Sequence, residues 1–214
     1  NMDQIESDLD RYLDIFKRFQ AEQKLDEIQK RLQQLFEQQN ALNKEINKLD
    51  QNSKSATAQR FSQEQQRNLD EFENILSLID DASSIVEPYS KTSSEELSSL
   101  FESELSEETE LSLTEAYENL KNENFQEAQI SSTSSLYNLD NMMQKMRNIE
   151  QSFQKETVSK MAKKFEKLMQ NLLYLSSQEE NLKSEVDEAY RNSPRLKSLA
   201  AQQQVLQDQL QSLT

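Results

Sequence analysis

Leu25-Asp26-Glu27-Ile28-Gln29-Lys30-Arg31-Leu32-Gln33-Gln34-Leu35 decides the fold. Its apolar residues stand at 25, 28, 32 and 35, with charged and amide side chains between them. Steps of three and four put them on one stripe of an α-helix, whereas a strand would need strict alternation. Upstream the same steps join Ile5, Leu9, Tyr12, Phe16 and Phe19, with one slip of phase before Leu25. Downstream Gln39 takes the next stripe position, followed by Leu42, Ile46 and Leu49. Neither proline nor glycine interrupts the slip, so a single helix is expected from near Asp3, running through it as a local change of supercoil. At 1.5 Å per residue such a helix is roughly 70 Å long, and it must lay its stripe against partners to be stable.

Composition extends that reading to the whole chain. The 214 residues include no glycine, and prolines stand only at Pro88 and Pro194. Glycine serves tight turns, phosphate loops and helix C-caps, so its absence points to long helices with few sharp turns. Hydrophobic residues are 34% of the chain and mean hydropathy is −0.93. A compact globule needs about 45–50% apolar residues, while a coiled-coil seam uses about two positions in seven. The fold class expected is therefore all-α: elongated antiparallel helical hairpins or a coiled-coil bundle.

The breaks follow from local chemistry. Asp50 to Ser55 is polar and rich in capping types and reads as a hairpin tip. A second helix carries Ala58, Phe61, Gln65, Leu69, Phe72, Leu76 and Ile79 until Pro88 forbids continuation. Thr92 or Ser93, followed by Glu95 or Glu96, makes a capping box. Short helices are expected over 95–105 and 109–122, the second capped by Thr109, with a turn at Asn122-Glu123-Asn124. A long helix then runs from Phe125 to about Tyr190. Its serine-rich start, Ser131 to Ser135, either permits close helix approach or marks a frayed segment. Ser193 caps the final helix with Pro194 at its first position. The expected divisions are a first hairpin over 1–82, an acidic spacer over 83–124 and a second hairpin over 125–214. The final helix meets Thr214 with no stop signal, so a fragment of a longer chain is expected.

The chain also matches itself at an offset of 140 residues. Leu25, Ile28, Leu32, Leu35, Leu42 and Ile46 fall on Phe165, Leu168, Leu172, Leu175, Leu182 and Val186. One polar residue sits three before a stripe leucine in each of four helices: Gln39, Gln66, Glu179 and Gln203. A polar residue in a seam costs stability and fixes register and partner choice. These four are the candidate register-setting residues of two duplicated hairpins.

Leu120-Lys121-Asn122-Glu123-Asn124-Phe125-Gln126-Glu127-Ala128-Gln129, between these glutamine-leucine phrases, carries a resemblance. Residues 20–214 resemble the Gln-rich helical region of a family of large, uncharacterised bacterial envelope proteins. Those proteins carry N-terminal membrane helices and a domain of unknown function. Leu136 and Leu139-Asp140-Asn141 match the family's leucine-asparagine stretch imperfectly. The resemblance implies a membrane-tethered chain of which this is a soluble helical part, and it implies no reaction.

Charge and missing residue types limit the chemistry. The formal net charge is −15. Between Asp80 and Glu127 fourteen carboxylates oppose only Lys91 and Lys121, whereas between Lys145 and Lys167 seven bases oppose three acids. No stripe is basic enough for nucleic acid. With no His and no Cys there is no imidazole base and no thiolate, and with no Gly there is no Walker or dinucleotide loop. Glu102, Glu104, Glu107, Glu108 and Glu110 could hold a divalent cation weakly, but read better as a solvated helix start. No catalytic, cofactor-binding or metal-ligating residues are expected. The function expected is a non-enzymatic scaffold that meets a protein partner or a second copy, with any membrane contact through segments outside these residues. The alternative is a peripheral membrane binder, in which Lys155, Lys160, Lys163, Lys164 and Lys167 meet anionic headgroups beside Met161, Phe165 and Met169.

Overall fold

The computed structural model describes the backbone of residues 2–49, 55–188 and 194–213, and side chains over 12–49, 55–186 and 197–209. The fold is all-α. Among the described residues six helices follow one another: α1 Met2–Ile46, α2 Ser55–Val86, α3 Lys91–Phe101, α4 Glu104–Lys121, α5 Phe125–Glu188 and α6 Pro194–Leu213. Among the described residues there is no strand. The expected hairpin tip at 50–54 and the expected Ser193 cap lie outside the described residues.

The chain divides into two compact units, 1–157 and 158–214. In the first unit α2 packs on α1, α3 and α4. Leu25, Ile28, Leu32 and Leu35 of α1 share a core with Phe72, Ile75 and Ile79 of α2 and Leu97 and Leu100 of α3. Leu113 of α4 and Leu139, Met142, Met146, Ile149 and Phe153 of α5 complete it. The acidic stretch is thus part of the bundle: α3 and α4 send small and apolar side chains inward and carboxylates outward. Charge density reported on their outer face and said nothing of their inner one. A second cluster joins Leu42, Ile46 and Leu49 to Ala58, Phe61, Leu120, Phe125 and Ala128.

Helix ends explain the short connections. Pro88 lacks an N–H, and α2 stops two residues before it. Ser90 is extended (φ −147°, ψ 102°) and its hydroxyl accepts from the Ser93 N–H, so the cap lies earlier than Thr92 or Ser93. Ser103 caps α4 in the same way, accepting from Ser106 N–H at 3.2 Å. Thr109, the cap expected from sequence, sits inside α4, fully buried, with its hydroxyl donating to the Leu105 carbonyl.

At the end of α4 the Asn124 N–H reaches the Asn119 carbonyl at 2.8 Å, and the Glu123 N–H reaches Leu120 at 3.2 Å. That is the Schellman pattern, which places its pivot in the left-handed region. Glu123 has φ 58°, a conformation that usually goes to glycine, which this chain lacks.

In the second unit, residues 158–188 of α5 and α6 lie side by side. Leu175, Leu182 and Leu199 are its buried residues among those described. A groove of about 500 Å³ is lined by Tyr174, Gln178 and Leu182 of α5 and by Ala201, Val205 and Leu206 of α6.

Candidate functional site

A buried polar layer separates the two apolar clusters of the first unit. Gln39 is 0% exposed. Its Nε2 donates to Gln65 Oε1 at 3.0 Å and to Ser132 Oγ at 3.1 Å. Its Oε1 accepts from Asn68 Nδ2 at 2.7 Å. Gln65 Nε2 in turn donates to the Leu113 carbonyl at 3.3 Å. One chain of hydrogen bonds therefore ties α1, α2, α4 and α5 at a single level. Both protons and the oxygen of the Gln39 amide are used, so desolvation is compensated there.

The four candidate register residues have different surroundings. Gln39 lies in this layer. Gln66 does not: it is half-buried and donates to Asp70 Oδ1 at 2.7 Å along its own helix. Its neighbour Gln65, one residue earlier and four before Leu69, turns inward instead. In the second unit Glu179 is exposed and Gln203 half-buried.

Asn68 and Ser132 were not singled out from sequence. The signal for Ser132 was the serine run, whose two readings the structure separates. Ser131, Ser132 and Ser135 are buried and helical, while Thr133 and Ser134 face outward. Small side chains let α5 come close enough to α1 for a hydroxyl to meet the Gln39 amide. Near the end of α1, Gln129 Nε2 donates to the carbonyls of Ile46 (3.3 Å), which also accepts from the Leu49 N–H, and of Leu49 (3.2 Å).

Burial pushes the Glu150 carboxyl up, Asp26 nearby adds to the rise, and Lys30 opposes it. Tyr89 is raised first by burial and then by Asp14, whose carbonyl accepts from its hydroxyl at 3.3 Å. Among the described residues no three acidic side chains converge as metal ligands. A groove of about 430 Å³ between α3 and α5 carries Glu95, Glu96 and Lys145 on its walls.

The remaining feature is uncovered apolar surface. Tyr12, Ile15, Phe16 and Phe19 are each more than half exposed on α1, immediately before the stripe becomes buried at Ala21 and Leu25. On α5, Val158, Met161, Phe165, Met169 and Leu173 are exposed by 41–66%. Single exposed apolar residues are ordinary, but runs at helical spacing mark interaction faces. No helix among the described residues is long and apolar enough to cross a membrane. No family model, no curated protein and no solved structure matches this chain.

Proposed function

We propose that this chain is a non-enzymatic helical module that holds four helices at one level and offers uncovered helix faces to a protein partner or a second copy. The observation that carries the reading is the α1 stripe. It is covered from Ala21 onward, whereas beyond the phase slip Tyr12, Ile15, Phe16 and Phe19 form a second apolar face on the other side of the helix and are bare. An apolar helix face that its own bundle does not cover is suited to pack against another molecule. The finer readings, coiled-coil packing and a duplicated hairpin, rest on the heptads and on the 140-residue offset. Membership of a larger envelope protein rests on the resemblance around residues 120–129, and membrane spans encoded upstream in the open reading frame would support it.

The test is a photo-cross-linking amino acid placed singly at positions 12, 16 and 19 in cells. A protein adduct is expected at these sites. The adduct at position 12 should be lost in the double variant Phe16→Glu, Phe19→Glu, whose helix content stays unchanged because both side chains are more than half exposed. Absence of any protein adduct at all three positions contradicts the reading.

A further inference from the structure

The second unit shows which copy of the repeated stripe lacks its cover. Leu25, Ile28 and Leu32 are fully buried, whereas Phe165 is 64% exposed 140 positions later, and Leu168 and Leu172 are half-buried. In the first unit, helices α2 and α5 supply the cover. In the second, Leu182 lines the groove that α5 shares with α6, while Val158, Met161, Phe165, Met169 and Leu173 are 41–66% exposed.

The spacing of these five residues is close to symmetric about Phe165. Met161 and Met169 stand four residues to either side, and Val158 and Leu173 seven and eight. A segment whose apolar positions read the same from either end fits an antiparallel copy of itself: Phe165 meets its own mate, and each Met161 meets a Met169. That is the requirement of an isologous twofold contact, in which one patch serves both partners. The thioethers are flexible enough to fill the remaining gaps.

Lys164 flanks this stripe, about 60° from Met161 at 100° per residue; Lys160, Lys163 and Lys167 fall on the opposite side of α5. In the antiparallel pair they point outward into solvent. Their like charges still lie at the same level in both copies, so added salt should favour association. Attraction of these lysines to an anionic lipid surface would weaken with salt instead.

We propose that residues 158–173 of α5 form the self-association face of this chain, pairing antiparallel with the same segment of a second copy across Phe165. The proposal rests on the interaction reading above and names its partner.

The experiment uses the whole chain, which contains no cysteine. Sedimentation should show a monomer–dimer equilibrium that shifts toward dimer between about 0.05 M and about 0.5 M salt. Phe165→Glu should abolish the dimer with helix content unchanged. Among single-cysteine variants, Phe165→Cys should oxidise to a covalent dimer. Lys163→Cys, on the opposite face, should stay monomeric. A mixture of Met161→Cys and Met169→Cys should link to each other in preference to themselves.

A chain that stays monomeric overturns the proposal, as does equal cross-linking at positions 163 and 165. Flotation with phosphatidylserine vesicles that salt abolishes, without a dimer in solution, assigns the face to lipid and also overturns it. In-cell photo-cross-linking at position 165 separates the two failures. A monomer that captures a different protein there removes the second copy and leaves the interaction reading standing. A monomer with no protein adduct at positions 12, 16, 19 or 165 removes both.

Discussion

Gln39 sits where a leucine would pack well, and its value lies in what it forbids. Sliding α1 by one heptad would set its amide against apolar side chains and leave Gln65, Asn68 and Ser132 without partners. A buried polar group left unpaired costs about 1–3 kcal/mol, so the aligned arrangement is selected over its neighbours. Gln39→Ala removes three hydrogen bonds and opens a cavity, and should cost about 2–4 kcal/mol in chemical denaturation. Gln66→Ala, which disturbs only a bond along the surface of α2, should change stability by less than about 0.5 kcal/mol. Equal effects of the two would contradict this account of the layer. Glu150 offers a separate measurement. Its folded-state pKa lies above its ordinary value of 4.5, so the folded chain holds this proton more tightly than the unfolded one. Its ionisation therefore lowers stability as pH rises through the unfolded and then the folded pKa. Glu150→Gln should raise the melting temperature at pH 7 and leave it almost unchanged near pH 4. The opposite pattern would mean that attraction to Lys30 outweighs burial and Asp26.

Element ends were less legible than element interiors. The stripes that make α1, α2 and α5 were readable because many residues report the same period. A cap rests on one residue, and in the run Ser90 to Ser94 several types compete for it. Ser90 prevails because Pro88 has already ended α2, so the first free hydroxyl beyond the break can take the extended conformation. Ser103 prevails over Thr109 because α4 continues one and a half turns further toward its N-terminus, which buries Thr109 against Met142. The turn at residues 122–124 was legible, though its mechanism was not, since a chain without glycine gave no sign that Glu123 adopts a left-handed conformation. Glu123→Gly should raise stability by about 1 kcal/mol, because that φ is unfavourable for any residue with a Cβ. A loss of stability would show that the Glu123 side chain contributes more than its backbone strain removes.

At the scale of the whole molecule, heptad spacing and absent glycine were enough to establish an all-α chain, because periodicity is a property of each helix alone. They also located the serine run and placed Gln39 on the seam. The α2 stripe likewise carried Gln65, whose inward position the glutamine-leucine phrase missed by one residue in favouring Gln66. Two matters depended on tertiary structure. The acidic stretch belongs to the bundle because its charges occupy only outward positions, and composition does not record which way a side chain points. Residues 12–19 and 158–173 are bare while 21–35 are covered, although each segment carries apolar residues at helical steps. Period tells a helix which face to bury, and only the arrangement of its neighbours decides whether anything is there to bury it against.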